Sequence, residues 1–309
     1  MTARVLVSCV QMQRELHKYE VELKSRGIEL VVPEIVQQLS EAQLVEIMPD
    51  IDGVIAGDDE FTEQAIAAAP RLRIISKWGV GTDGIDKTAA QRLGVTVTNT
   101  PGVFADEVAD VAMGYIVLLA RGLHVIDREV RAGRWHKIEG ETLRGKTIGI
   151  VGLGSIGRAL AVRAAAFGML VTGSDPVRDA CAAARDVGVT VVPLTDAIGA
   201  SDYIALCCPL TPETRHLLNE ASLATVRPGV KVVNVARGPL IHETALVDAL
   251  QRGTVGGAAL DVFESEPLGP DNPLLAFDSV IVGSHNSSNT KEAVERTSRL
   301  ALQNLLEHL

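Results

Sequence analysis

One stretch constrains this chain more than any other. Residues 146–176, KTIGIVGLGSIGRALAVRAAAFGMLVTGSDP, read as a strand, a glycine-rich turn, a helix, a second strand and then a single acid, Asp175. In the spacing G-x-G-x-x-G, Gly152 lets the chain leave the strand in a tight turn. Gly154 lets backbone approach a ligand closely, and Gly157 lets the new helix pack against the sheet. The first turn of that helix, at Ser155 and Ile156, presents free N–H groups and the positive end of the helix dipole, so it favours a phosphate. Asp175 stands about twenty residues beyond the first glycines, where an acceptor for a ribose hydroxyl is required. The pattern predicts a dinucleotide-binding βαβ unit. A methyltransferase, or a glycine turn with only a structural role, would also satisfy it.

Apolar runs bounded by turn residues recur along the rest of the chain with helical stretches between them, the pattern of a parallel sheet covered on both faces. Two series are visible. The first comprises RVLVSC, IELVVP, GVIAG, RIISKW and VTVTN; the second comprises TIGIV, LVTGSD, TVVP, YIALCC, KVVNVA, GAALDV and VIVGS. An α/β fold with two doubly wound parallel-sheet domains is expected. Between the series, the long apolar helix in ADEVADVAMGYIVLLAR reads as a bridge between domains, followed by a charged arm around Trp135. The terminal segment TKEAVERTSRLALQNLLEHL has helical spacing and is free to pack back on the first domain, so the boundary is crossed twice.

A length of 309 residues and 47% hydrophobic content fit two domains, each with its own core. With aromatics at 3%, those cores are built from Val, Ile, Leu and Ala. The net charge of −10 argues against a nucleic-acid partner. Neither the first residues nor MGYIVLLA is long enough in apolar character for a signal peptide or a bilayer span, so a cytoplasmic protein without a membrane partner is expected. Cys9, Cys181, Cys207 and Cys208 have no metal-ligand or C-x-x-C spacing, which predicts reduced, buried thiols and no metal.

Three side chains with catalytic chemistry follow strands of the second series: Arg237 in NVARGPLI, Glu266 in DVFESEPL and His285 in IVGSHN. The carboxyl ends of parallel strands face the ligand crevice, so these positions can converge. Hydride transfer to a carbonyl needs a proton donor, and imidazole titrates in the right range. A carboxylate favours its protonated form, and a guanidinium offers a planar fork for an acid substrate. On the residues alone, Arg237 is equally accounted for by a structural ion pair, and Glu266 by the turn that Pro267 makes.

The motifs KWGVGTDGID, NTPG, LRGKTIGIVGLGSIGR with GSDP, CCPLTPETRHLLN, NVARGPLI, GAALDVFESEP and SHN resemble, in order, those of the D-isomer-specific 2-hydroxyacid dehydrogenases, in the branch similar to phosphoglycerate dehydrogenase. The resemblance runs from about residue 75 to 290. It implies a flavodoxin-like substrate domain, 1–100 plus 287–309, and a Rossmann NAD-binding domain, 101–286, with the active site in the cleft between them. It implies NAD as cofactor, a small D-2-hydroxy or 2-oxo acid as substrate, and a homodimer formed through the arm around Trp135. Arg237, Glu266 and His285 take the catalytic places. Ser155 and Ile156 meet the pyrophosphate, Asp175 the ribose and Asp261 the nicotinamide carboxamide, while Cys208, Pro209, Val235 and Ala236 line the cofactor. Gly79, Val80 and Gly81 meet the substrate carboxylate through backbone N–H groups, with Lys77 beside them.

The chain departs from that pattern in three places. Small apolar residues and glycines usually follow the histidine, but here Asn286, Ser287 and Ser288 do. The arginine that helps hold phosphate in phosphoglycerate enzymes is Ala56, with Asp58 and Asp59 nearby, so a glyoxylate- or hydroxypyruvate-like acid is expected to be preferred over 3-phosphoglycerate. Lys77 and Arg14 are the cations that could reverse this. The chain stops soon after its terminal helix, so a C-terminal regulatory domain is not expected. A non-catalytic NAD-sensing scaffold is the rival reading from another class, and retention of all three catalytic side chains argues against it.

Overall fold

The computed structural model describes residues 2–309, which divide into two compact units. The first contains residues 2–103 and 289–309, and the second residues 104–288. These boundaries fall two or three residues beyond the expected ones.

In the first unit, strands β1 (Ala3–Val7), β2 (Ile28–Val31), β3 (Gly53–Ala56), β4 (Ile74–Lys77) and β5 (Thr96–Thr98) form one parallel sheet in the order β2-β1-β3-β4-β5. Every residue of β3 and β4 is buried, as a strand covered on both faces requires. On one side lies a core of Leu6, Leu44, Val54, Phe61, Ile66 and Ile75 among others. The terminal helix Lys291–His308 covers β3 and β4 from within the same unit. Its start is capped by Thr290, whose hydroxyl accepts from the Ala293 amide at 3.1 Å. Ser76 donates to the Ala301 carbonyl at 2.8 Å, and the Trp78 indole to Ser298 at 2.9 Å.

In the second unit, β6 (Thr147–Val151), β7 (Leu170–Ser174), β8 (Thr190–Val191), β9 (Tyr203–Leu206), β10 (Val230–Asn234), β11 (Val255–Leu260) and β12 (Val280–Val282) form a parallel sheet ordered β12-β11-β10-β9-β6-β7-β8. The direction of winding reverses between β6 and β9, and a ligand crevice opens at the carboxyl ends of such a switch point. The helix Ala105–Arg121, expected to bridge domains, lies wholly within this unit. It buries Val108, Ala109, Ala112, Met113 and Ile116 against the helix Ser155–Ala166 and strands β10 and β11. Its apolar character serves the core, and among the described residues no single helix is long and apolar enough to cross a membrane.

Beyond the helix Leu123–Arg131 the chain runs exposed to residue 140, with Trp135 79% accessible. Glu141 fixes its return. The carboxylate accepts from the Tyr203 hydroxyl at 2.7 Å and pairs with Lys146 at 2.9 Å and with Lys231. Burial opposes its ionisation, but these three donors outweigh it and hold the carboxyl down to about 2. All four cysteines are unpaired. Cys9 and Cys208 are buried as expected, whereas Cys181 and Cys207 are partly accessible.

Candidate active site

The glycine turn leaves β6 with Gly152 at φ +96°, a conformation that side chains with a Cβ rarely adopt. A Cβ on Gly157 would stand 2.0 Å from the Gly152 carbonyl, so only glycine lets the helix Ser155–Ala166 start this close to the strand. Gly154 is the helix N-cap and has open space where a Cβ would point. With no capping side chain, the first-turn amides at Ser155 and Ile156 remain available to an outside acceptor. Asp175 follows β7. Its two oxygens accept from the Leu153 and Val177 amides, each at 2.8 Å, which ties the acid to the turn itself. Cys208 and Val235 are buried, Ala236 is half-buried and Pro209 is exposed. Burial pushes the Cys208 thiol up to about 11, so it presents a neutral, apolar surface.

Three loops at the carboxyl ends of β10, β11 and β12 carry the catalytic candidates. After β10, buried Asn234 holds the turn by accepting from the Ala236 amide at 3.1 Å and donating to the Arg237 carbonyl at 2.8 Å. The Arg237 guanidinium donates to the Ala236 carbonyl at 2.8 Å. Gly238 brings this turn against the next loop, because a Cβ there would sit 1.9 Å from the Phe263 carbonyl group. In that next loop the Phe263 amide donates to Glu266 Oε1 at 2.9 Å. Glu266 Oε2 lies 2.8 Å from His285 Nδ1. An ionised carboxylate can only accept, so in this contact Nδ1 carries the proton.

His285 has φ +52°, a left-handed conformation that costs a residue with a Cβ about 1–2 kcal/mol. Asp261 stabilises it. The Asp261 carbonyl accepts from the His285 amide at 2.7 Å, and its carboxylate from the Asn286 amide at 3.2 Å and the Ser287 amide at 2.8 Å. Ser287 also donates its hydroxyl, and Tyr115 of the helix Ala105–Arg121 donates from 3.4 Å. Burial and the Asp261 charge push the Tyr115 hydroxyl well above the usual tyrosine range, so it remains a donor. Asp261 is thus committed to the histidine loop, a use that its expected contact with a carboxamide did not reveal.

In the first unit, the Gly79–Gly81 loop is braced by the NTPG motif. Thr100 accepts from the Gly79 amide through its hydroxyl and donates its own amide to the Gly79 carbonyl, both at 2.9 Å. Asn99 donates to the Val80 carbonyl at 2.7 Å. Of the three expected anion-binding amides, Gly79 is therefore occupied, and Val80 and Gly81 donate to no acceptor among the described residues.

The two acids expected to repel a phosphate have other partners. Asp59 is buried, and accepts from the Ser8 hydroxyl, the Leu39 amide at 2.8 Å and the Gly57 amide at 2.9 Å. Asp58 pairs with Lys77 at 2.9 Å, and the Lys77 side chain is only 6% accessible.

Residues 113–287 match the family model of the D-isomer specific 2-hydroxyacid dehydrogenase, NAD binding domain. The chain belongs to this family. A glyoxylate reductase from Korarchaeum cryptofilum is 37% identical over 274 residues, spanning 86% of this chain and 82% of its own. A hydroxypyruvate reductase from Thermotoga maritima is 36% identical over 305 residues, spanning 97% and 98%. The crystal structure of an NADPH-dependent glyoxylate/hydroxypyruvate reductase from Sinorhizobium meliloti, in complex with NADP and malonate, has a TM-score of 0.83 at 32% identity, covering 99% of this chain and 93% of that one.

The protein is therefore an NAD-dependent 2-hydroxyacid dehydrogenase, which transfers a hydride between the cofactor and a small 2-hydroxy or 2-oxo acid. The methyltransferase and scaffold readings fall away. The uncapped amides above Gly154, the open space at that glycine and the pinned Asp175 suit the pyrophosphate and ribose of a dinucleotide.

Proposed function

We propose that this dehydrogenase reduces small, unphosphorylated 2-oxo acids of the glyoxylate and hydroxypyruvate kind, with His285 as proton donor, Glu266 as its partner and Arg237 as the substrate clamp. The reading is carried by the 2.8 Å contact between His285 Nδ1 and Glu266 Oε2, made by two loops that follow adjacent strands. The carboxylate orients the ring and favours the imidazolium, whose proton is given to the carbonyl oxygen in reduction. Arg237 offers paired donors to the acid and draws electron density from the carbonyl. The Val80 and Gly81 amides take the substrate carboxylate. When bound, the reduced nicotinamide supplies the hydride to the carbonyl carbon.

The names of the Korarchaeum and Thermotoga relatives support this substrate class, and so does the chemistry of the first unit. The expected repulsion by Asp59 is weakened, because that acid is buried and turned to the Ser8 hydroxyl and the Leu39 and Gly57 amides. What disfavours a phosphate is that buried Ala56 stands in the place of an arginine and that Asp58 balances the charge of Lys77. Arg14 is exposed on a groove of about 520 Å³ whose charges balance, with Lys18 and Lys291 beside Glu15, Glu292 and Glu295. Glyoxylate and hydroxypyruvate should each give a higher kcat/KM than 3-phosphohydroxypyruvate with NADH. A preference for the phosphorylated acid would reverse the assignment and point to Arg14.

We further propose a preference for NAD over NADP. Asp175 accepts hydrogen bonds from a ribose diol but repels a 2′-phosphate, at a cost on the order of 1–2 kcal/mol in a partly solvated site. NADH should exceed NADPH in kcat/KM by at least about tenfold. Equal or better use of NADPH would show that the exposed Arg178, three residues on, receives the phosphate instead.

The accessible Trp135 segment, anchored at Glu141, supports a homodimer, and the net charge of −10 with four unpaired thiols suits the cytoplasm. Sedimentation at twice the 32.8 kDa chain mass is the expected result, whereas a monomer at micromolar concentration would remove that segment's role.

A further inference from the structure

We propose that Ser287 is a positioning residue for catalysis, whose hydroxyl holds His285 in its working conformation through the buried Asp261 carboxylate. The inference rests on the assignment of His285 as proton donor, and it arises where this chain departs from the family's usual glycines and small apolar residues. Asp261 is 2% accessible and Ser287 6%, so neither group exchanges its partners freely with water. Consecutive amides of His285, Asn286 and Ser287 all converge on Asp261, the first on its carbonyl and the others on its carboxylate. Backbone that turns through a left-handed residue forms a concave nest of N–H groups around an anion, and here that residue is His285 at φ +52°.

The imidazole is consequently fixed at two ends. Its ring is held by Glu266, 2.8 Å from Nδ1, and the direction of its Cα–Cβ bond is set by the left-handed backbone. Of the donors to Asp261 Oδ2, one is the Ser287 amide and the other is the Ser287 hydroxyl. Oδ1 takes the Asn286 amide at 3.2 Å and Tyr115 at 3.4 Å, both longer contacts. Removing the hydroxyl leaves Oδ2 with a single donor in a site closed to water. The carboxylate must then shift to recover a partner, and the nest loosens around His285. A histidine released toward an ordinary backbone conformation carries its ring away from Glu266.

The test uses the full-length enzyme and the variants Ser287→Ala and Ser287→Thr. Isotope-labelled histidine NMR follows the Nδ1 proton of His285, identified by its absence in His285→Asn, and needs no turnover. That signal should be shifted downfield and protected from exchange in the wild type and in Ser287→Thr, and broadened or lost in Ser287→Ala. With NADH and glyoxylate, Ser287→Ala should lose about tenfold in kcat with KM for NADH within about twofold, and Ser287→Thr should recover most of the loss. A Ser287→Ala enzyme that keeps the protected signal and its kcat would overturn the proposal. So would an equal loss in both variants accompanied by an equal fall in Tm, which is the behaviour of mere packing. If Ser287→Ala does not fold, loss of the protected signal in folded Ser287→Thr would also overturn it. A wild type inert toward every 2-oxo acid would count against the functional assignment alone, and the imidazole signal would still decide the role of Ser287.

Discussion

Replacing His285 with Ala is expected to lower kcat for 2-oxo acid reduction by roughly 10²- to 10⁴-fold, the range supplied by a positioned proton donor. NADH affinity should be nearly unchanged, because the groups assigned to the pyrophosphate and ribose lie on the β6 and β7 loops. The left-handed backbone at this position complicates a single variant. Ala loses the imidazole but keeps a Cβ in a conformation it dislikes, so part of any loss could be conformational. Asn tolerates φ near +52° far better, and His285→Asn separates the two effects. Both variants should be equally impaired if proton donation is the missing function. Recovery of most activity in His285→Asn would instead assign the residue to loop geometry. Steady-state rates at saturating glyoxylate, with NADH binding measured separately, distinguish these outcomes.

The strands of both units were readable in the sequence because a doubly wound sheet writes a coarse signal. The inner strands are apolar runs such as GVIA or TIGIV, buried along almost their whole length and bounded by turn residues. The glycine turn was equally legible, since Gly152, Gly154 and Gly157 answer local demands of strand, turn and helix. The bounds 101–286 placed the helix Ala105–Arg121 in the second unit, whereas its reading as a bridge failed for a physical reason. An apolar helix between two series of strands has the same periodicity whether it spans domains or packs on one of them. Only its long-range neighbours, the helix Ser155–Ala166 and β10 and β11, decide the matter.

The polar groups of the candidate site were less legible. Lys77, Asp58 and Asp59 read as a cation beside two free acids, yet Asp58 neutralises the lysine and Asp59 turns inward to Ser8 and Leu39. Adjacent side chains on a loop point in opposite directions, and their partners lie about 20 to 50 residues away. Asn234, Tyr115 and Thr100 were missed because their roles are to hold a neighbouring loop. The one available signal was the NTPG motif, whose Thr100 takes the Gly79 amide. The unusual polarity of Asn286-Ser287-Ser288 was visible, but its target was not, since Ser287 and Asp261 are 26 residues apart in the chain.

Changing Glu266 to Gln should move the pH dependence of reduction, and the direction follows from charge. Under the proposed assignment, reduction consumes the proton on His285, so the rate should fall as pH rises through the titration of that imidazole. A carboxylate 2.8 Å from Nδ1 stabilises the imidazolium and keeps the donor protonated to higher pH. The neutral amide preserves size and can still accept a hydrogen bond through its oxygen, but it supplies no charge. The high-pH limb of kcat should therefore shift to lower pH in Glu266→Gln, by about one unit or more. At neutral pH this corresponds to a loss of about tenfold that is largely recovered on acidification. Oxidation of the hydroxy acid, which needs neutral imidazole, should show the complementary shift and remain active at lower pH than in the wild type. The Phe263 amide, which donates to Glu266 Oε1 at 2.9 Å, discriminates between the two orientations of the introduced amide. If the amide oxygen takes that bond, the NH₂ group faces His285 Nδ1 and requires the tautomer with its proton on Nε2. The loss would then persist at low pH. A rate profile identical in wild type and Glu266→Gln would exclude the carboxylate from any part in proton donation.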